Sequence, residues 1–350
     1  MIRYIVKRVV LALISLFILL TIVYLLTASF ADTPYQGDPN DYQQWMEYNG
    51  FNKPVIVRYC EYLSGFFRGD FGSIYSTNNG FTNIPSFFFK PLTWTILITI
   101  PAFIISVVIG VFLGIIAGYN RGKWIDVVIN LFVVIFIGLP SFVIAPIILL
   151  IANSSNGAIL SEFTYPDIQG WAMTIKSLVL PIITVTLGSL AGYTILVRNQ
   201  MVSILTSNHI LIAKAKGLTQ WEIFWKHIIR NISIPLISYM VPSFIMLLMG
   251  NIIIEQFFGV PGASTVIMQA FPNGEINIVM FSIFFIASLS MAGQIILDIS
   301  YIFIDPKIKY FESTKISIVK NIVNKFKREK NLKENENQYV KERAGDESVK

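Results

Sequence analysis

Apolar residues run through this chain in long blocks, not in the alternating or 3.6-residue patterns of soluble elements. A membrane-spanning helix takes about 20 mostly apolar residues. Six blocks meet that length, at roughly 9–30, 93–118, 125–152, 177–197, 235–257 and 278–304. The third and sixth are longer than needed and predict helices that tilt or overhang the bilayer. Pro101, Pro140, Pro146, Pro181 and Pro242 fall inside these blocks. Neighbouring helices can re-satisfy the backbone groups that proline frees within a membrane. The prolines therefore predict kinks in a packed bundle and no extra breaks. The pattern as a whole predicts an all-α integral membrane protein with six transmembrane helices.

The first block has features of a signal peptide. Arg3, Lys7 and Arg8 precede it, and Ser29, Phe30 and Ala31 weakly resemble a cleavage site. Its apolar run of 22 residues, 9–30, is too long: the apolar core of a signal peptide spans about 7–15 residues. A retained anchor is expected.

Composition supports a membrane protein. Of 350 residues, 54% are hydrophobic and 14% charged, against about 25% charged in soluble domains. A single cysteine, Cys60, rules out an intrachain disulfide and a thiolate metal cluster. His209 and His227 are the only histidines and make a poor metal site. The net charge of +6 matters less than its placement. With the N-terminus inside, 22 of the 27 basic residues fall in inner segments, which is the bias that sets orientation. The outer ones are Lys53, Arg58, Arg68, Lys90 and Lys176. An even number of helices puts both termini in the cytoplasm.

Between the fourth and fifth blocks lies an inner, charged insert from Ala213 to Pro235. Trp221, Phe224, Trp225 and Ile228 recur at helical spacing and predict one apolar face. Glu222 and Lys226 form an i, i+4 pair in the better orientation. Gly217 is placed between two short helices as a left-handed residue just past the first. Pro235 marks the start of the fifth membrane helix. Two readings fit this spacing: a docking surface for a soluble partner, or an amphipathic helix lying on the inner leaflet.

Residues 31–92 are rich in aromatics, including Tyr42, Trp45, Tyr48, Phe51, Tyr59, Tyr62, Phe66, Phe67 and Phe71. They fit either a small ordered cap or an interfacial aromatic belt. In 315–327, Ile316, Val319, Ile322, Val323 and Phe326 line one helical face among lysines, which predicts an interfacial helix. Residues 328–350, with six basic and six acidic side chains, predict a solvated, disordered end.

The sequence has no phosphate-binding G-x-x-x-x-G-K-[ST] loop, no H-E-x-x-H helix and no G-x-S-x-G elbow. Asp126, Glu255 and Asp298 are the acids nearest the membrane interior. Each falls near a helix end, which favours capping, pairing or orientation over proton coupling. No convergent cluster of His, Asp, Glu or Cys points to an enzyme. A self-sufficient secondary carrier or channel is the alternative, but it would often show an internal repeat, and the two halves show no convincing one.

An ordered series of motifs carries a resemblance over roughly residues 1–310. It begins with Arg3, Tyr4, Lys7 and Arg8, then Gly65 and Gly69 to Gly72, Gly138 to Phe142, Leu180 with Pro181, and Leu187 to Ala191. It continues with Ala213 to Leu218, Lys226, His227, Arg230, Asn231 and Pro235, then Glu255 to Gly262, Asp298 and Asp305 to Tyr310. The chain resembles the first of the two permease subunits of bacterial peptide-importing ABC transporters, the oligopeptide, dipeptide and nickel group. It departs at Asn208, His209 and Leu211, where the family usually has an acidic residue, an aromatic and an arginine. Ala31, Asp32, Thr33 and Pro34 replace a usual Pro-Gly-Asp-Pro.

The resemblance implies a type I ABC importer permease fold in the bacterial plasma membrane. Residues 1–30 would be the N-terminal transmembrane helix and 31–92 a small extracellular segment. Residues 93–310 would be the permease core, with five transmembrane helices and a cytoplasmic coupling loop at 199–234. Residues 311–350 would be a cytoplasmic tail. It further implies a second homologous permease, two ABC ATPase subunits, an extracellular substrate-binding protein and a peptide substrate. Lipid is a partner and nucleic acid is not. ATP and Mg would be bound by the ATPases, leaving this chain without a cofactor, a metal or catalysis of its own. The coupling set implied is Ala213, Lys214, Ala215, Lys216, Gly217, Leu218, Trp221, His227 and Arg230, with small residues suiting close approach to an ATPase groove. The solute, and the residues that touch it, are not assigned.

Overall fold

The computed structural model describes residues 2–35, 37–75, 83–154, 160, 162–250 and 252–304, and all regular structure among them is helical. Residues 1–299 form one packed unit. The interfacial helix expected at 315–327 and the solvated end at 328–350 lie outside the described residues.

The first helix, α1, covers Ile2–Phe30. After it come a 3-10 turn at Pro39–Asp41, then α2 at Tyr42–Tyr48 and α3 at Val55–Phe66. The long helix α4 covers Ile84–Tyr119. It starts well before the expected 93, because Asn83 caps it: the Asn83 side-chain oxygen accepts the Ser86 amide at 2.9 Å, with Pro85 in the first turn. Lys90 and Pro91 interrupt the apolar run and hide this start from a hydropathy reading.

The block at 125–152 is broken, not kinked. It forms α5, Trp124–Gly138, and α6, Ser141–Asn153. The two meet at 103°. Pro140 favours the break. A proline ring disfavours helical geometry in the residue before it, and Leu139 is extended, with φ −92° and ψ 109°. Pro101, Pro146, Pro181 and Pro242 do sit inside continuous helices.

A one-turn helix, α7 at Pro166–Gln169, precedes α8 at Trp171–Leu205. Two short helices follow, α9 at Asn208–Ala215 and α10 at Gln220–Ile223. A π-helical stretch at Phe224–Ile229 joins α10 to α11 at Arg230–Gly250. Two short helices, α12 at Ile252–Phe257 and α13 at Ala263–Ala270, precede α14 at Ile276–Ile304. Among the described residues, five helices, counting the run from α10 through α12 as one, are long and apolar enough to cross a membrane, and six if the α5–α6 pair counts as one broken span.

The centre of the bundle is the seam between α4 and α8. Gly110, Gly114 and Gly118 recur every four residues and place one bare stripe of α4 against α8. A Cβ on Gly110 would come within 2.6 Å of Tyr193 Cβ, and one on Gly114 within 2.7 Å of the Thr194 carbonyl. A Cβ on Gly118 would collide with Met201. Small residues at this spacing let membrane helices approach closely, where packing and not water expulsion drives association.

Residues 31–35 and 37–75 form an ordered cap whose aromatics pack on the bundle. Tyr24 of α1 packs on Tyr59 and Tyr62 of α3, with ring centroids 5.0 and 5.5 Å apart. Phe66 and Phe71 meet Phe284 and Phe281 of α14 edge-on, both at 4.8 Å. The Tyr75 amide donates to Glu275 at 3.0 Å, and the Asn277 side chain donates to the Ser73 carbonyl at 2.9 Å. Aromatic pairs of this geometry add about 0.5–1.5 kcal/mol each beyond area burial. The cap is thereby fastened to α1 and to the start of α14.

Candidate functional site

The segment 199–234 begins in the last turns of α8 and lies at the end of the bundle opposite the cap, next to the end of α4. Its inner side is apolar. Ile210, Ala213, Ile223, Ile228 and Ile232 are buried together with Val197, Met201 and Ile204 of α8. Val111 and Ile115 of α4 pack against the same cluster. The segment is thus seated on the two helices that the glycine stripe locks together.

Gly217 makes the turn inside it. Its φ is +77°, a region that costs a residue with a Cβ roughly 1–2 kcal/mol. The Gly217 amide donates to the Lys214 carbonyl at 2.9 Å and the Leu218 amide to the Ala213 carbonyl at 3.3 Å. This paired closure ends a helix with a left-handed glycine just past its last turn, as the sequence predicts. Thr219 starts the next helix. Its hydroxyl accepts the Glu222 amide at 3.3 Å, and the Glu222 carboxylate accepts the Thr219 amide at 3.0 Å. This capping box is written in the sequence as Thr219-Gln220-Trp221-Glu222, a signal additional to the Glu222–Lys226 pair, whose ion pair spans 3.7 Å.

The expected single apolar face is split. The π-helical stretch adds a residue to the turn and rotates the register, so Ile223 and Ile228 point inward. Trp221 and Trp225 are left 68% and 52% exposed. Their rings meet edge-on at 5.5 Å. Of the coupling set, Lys214, Ala215, Lys216, Gly217, Trp221 and Arg230 are exposed, and Leu218 and His227 are half-buried. Ala213 is 3% exposed. Its small side chain therefore serves packing within the chain, and Ala215 and Gly217 are the small residues of the set left at the surface. The outer surface combines two tryptophans with Lys214, Lys216, Lys226 and Arg230.

One ion pair ties the neighbouring turn to this platform. Asp126, 4% exposed, accepts from Arg198 Nε at 2.6 Å and Nη2 at 2.8 Å. It also accepts the Gly122 amide at 3.0 Å and Asn130 Nδ2 at 2.6 Å. The milder reading of this acid, pairing with another helix, is what the structure shows. Its partner lies 72 positions away, beyond the reach of local patterns.

Glu255 is fully buried at the other end. Its carboxylate accepts from Thr95 Oγ1 at 2.5 Å and from Ser264 Oγ. The Thr95 hydroxyl also accepts the Ala263 amide at 2.9 Å. Gly262 lies so close to the carboxylate that any Cβ there would collide with it. The run Glu255 to Gly262 is thus a folded hairpin pinned to α4. Asp298 pairs with Arg8 Nε at 3.1 Å and joins α14 to α1. All three near-membrane acids hold helices together. No group of three or more metal-ligating side chains occurs among the described residues.

Two cavities among the described residues open on the bundle. One, of about 600 Å³, lies between α1 and α14 and has Arg8 and Asp298 at one end. The other, of about 690 Å³, is bounded by α5, α8 and α11.

A bundle of long apolar helices, with a cap at one end and a helical platform at the other, defines a multi-pass membrane protein. Residues 110–310 match the model of the binding-protein-dependent transport system inner membrane component, and the chain belongs to that family of ABC importer permeases. It is 32% identical over 327 residues to the oligopeptide transport system permease protein OppB of Mycoplasma genitalium, covering 91% of this chain and 80% of that one. It is 31% identical to OppB of Haemophilus influenzae, over 89% of this chain and all of the relative. The dipeptide transport system permease protein DppB of Lactococcus lactis is 28% identical over 88% of this chain. A chain of the inward-facing MetNI methionine ABC transporter overlaps 61% of this chain and 97% of its own, at 16% identity and a TM-score of 0.45, too loose a match to carry an argument.

Proposed function

We propose that this chain is one of two permease subunits in an ATP-driven importer of oligopeptides or dipeptides, and that its segment 199–234 is the seat of an ATPase subunit. The observation that carries the seat is its two-sidedness. An aliphatic underside fuses the segment to α4 and α8, and an outward face offers tryptophans, lysines and an arginine. Ile223 and Ile228 face the protein and anchor the segment to the bundle, which leaves Trp221 and Trp225 outward beside Lys214, Lys216 and Arg230 for a partner. Force applied to so firmly mounted a segment moves the α4–α8 pair as a body. A bundle with two arrangements could then be switched by a partner that binds them unequally.

The peptide substrate is supported by the names of the relatives, which cover nearly the whole chain. The proposed orientation puts the segment 199–234 and both termini in the cytoplasm and residues 31–92 outside, in keeping with the basic residues around 198–230. A binding protein outside would deliver the solute, and ATP and Mg would be held by the ATPases. The test is reconstitution in vesicles. The assembled complex should take up peptide only with ATP and the binding protein, and the chain alone should pass none. Robust flux through the chain alone would identify a self-sufficient carrier and overturn the subunit reading.

A further inference from the structure

We propose that the cleft between α5, α8 and α11 is this chain's contact site for the solute in transit, an uncharged wall that holds the backbone of an extended peptide. This rests on the peptide-importer reading. The cleft measures about 690 Å³, within the range of small-molecule sites, roughly 300–1,000 Å³. Its lining is mostly apolar with a few polar groups, and among the described residues none of the lining side chains is charged. The other cavity differs in having an ion pair at one end.

Gly188 supplies an independent observation. It lies in the interior of α8, where glycine weakens a helix relative to alanine. The glycines of α4 offset that cost by admitting α8, but a Cβ on Gly188 would meet nothing within 4 Å. The bare position faces the cleft. Its effect is to widen the cleft and expose helix backbone there.

Polar groups flank this gap. The Ser189 hydroxyl donates to the Val185 carbonyl at 2.9 Å, which leaves its oxygen able to accept. Across the cleft, the Tyr239 hydroxyl lies against Gly192, and its ring is propped edge-on by Tyr193 at 5.1 Å. Tyr193 is itself fixed by a 2.5 Å hydrogen bond with Ser243. Asn199 lines the same cleft one residue beyond Arg198, whose charge is held by Asp126. Peptides of different sequence share only their amide groups. Neutral donors and acceptors can exchange hydrogen bonds with any of them. A fixed charge in so apolar a setting would trap opposite side chains and repel like ones, and passage requires binding weak enough to release.

The test uses the full complex with its ATPases, second permease and binding protein, in a Cys60→Ser background so that an introduced cysteine is the sole thiol of this chain. Ser189→Cys is labelled with a small maleimide during turnover, with and without a pool of uncharged, lysine-containing and glutamate-containing pentapeptides. Labelling should slow at least threefold with each peptide class. In parallel, Gly188→Trp should cut peptide uptake at least tenfold while ATP hydrolysis stimulated by the loaded binding protein persists. Gly188→Ala, whose single methyl narrows the cleft less, should cut uptake by less than Gly188→Trp does. No protection of the Ser189→Cys thiol by any peptide, together with normal uptake by Gly188→Trp, overturns the cleft proposal alone. A disulfide between the Ser189→Cys thiol and a cysteine of the second permease, formed in all states and insensitive to peptide, overturns it in favour of a subunit interface. If the wild-type complex imports no peptide but imports another solute, the peptide reading itself fails and the cleft proposal falls with it.

Discussion

Arg198 grips Asp126 with two nitrogens, Nε on one carboxylate oxygen at 2.6 Å and Nη2 on the other at 2.8 Å, and so clamps the start of α5 to α8. The pair lies seven residues before the end of α8, next to the segment 199–234. Because α5 runs into the break at Pro140, the clamp connects the proposed ATPase seat to a broken helix that borders the 690 Å³ cleft. Removing one partner leaves the other desolvated. A buried pair broken this way costs about 3–5 kcal/mol, and partial exposure of Arg198 lowers the expectation here to about 2–3 kcal/mol. Asp126→Asn and Arg198→Ala should each lower the melting temperature of the detergent-solubilised protein. The exchange Asp126→Arg with Arg198→Asp should recover part of the loss if the pair acts chiefly through its mutual contact. Equal stability of the single variants and the native chain would remove the clamp from the structural argument.

The α4–α8 seam depends on bare positions. Gly114→Leu drives a side chain toward the Thr194 carbonyl, which a Cβ alone would approach to 2.7 Å. Neither helix backbone can yield locally. Overpacking of this kind costs about 1–3 kcal/mol in a protein core, and more is expected where the obstacle is backbone. The variant should yield little monodisperse protein on size-exclusion chromatography, in contrast to Gly138→Ala, whose Cβ would meet nothing within 4 Å.

Glu255 holds the hairpin after α12 against α4 through Thr95 and Ser264. Glu255→Ala strands two buried hydroxyls, and each unsatisfied buried group costs about 1–3 kcal/mol. Glu255→Gln keeps an acceptor in place and should be milder. A double-mutant cycle with Thr95→Val, followed by thermal unfolding, reads the coupling directly. Additive losses would show that the two side chains do not act together.

Much of the helical plan can be read from hydropathy, because lipid demands long apolar runs whatever their detailed packing. Gly217 and the capping box from Thr219 to Glu222 are equally local, set by dihedral preference and by hydrogen bonds three residues apart. The break at Leu139 and Pro140 is less legible. The same proline rule holds at Pro101, Pro181 and Pro242, yet those helices continue, and only tertiary surroundings separate the outcomes. The π-helical stretch at 224–229 likewise hides from periodicity, since one added residue reassigns Trp225 to the surface and Ile228 to the core. Asp126 and Arg198 are individually conspicuous as charges beside apolar runs. Their pairing depends on how α5 and α8 are laid side by side.

Gly217→Val tests the turn between α9 and α10. The site has room for a side chain, but its φ of +77° excludes a β-branched residue without strain. The chain should still insert and fold, losing about 1–2 kcal/mol locally. Uptake by the full complex should fall at least tenfold, with ATP hydrolysis no longer responsive to the loaded binding protein. Unchanged uptake would show that the turn is not part of the coupling surface.

The most direct measurement is a crosslink from Ala215. In a Cys60→Ser background, Ala215→Cys is placed in the assembled complex and treated with a short bifunctional thiol reagent. The exposed position on the α9 end of the platform should join to an ATPase subunit, with a yield that changes between nucleotide-free and ATP-trapped states. Reaction of that cysteine in intact cells with a reagent confined to the exterior, and no adduct with the ATPase, would contradict both the orientation and the seat.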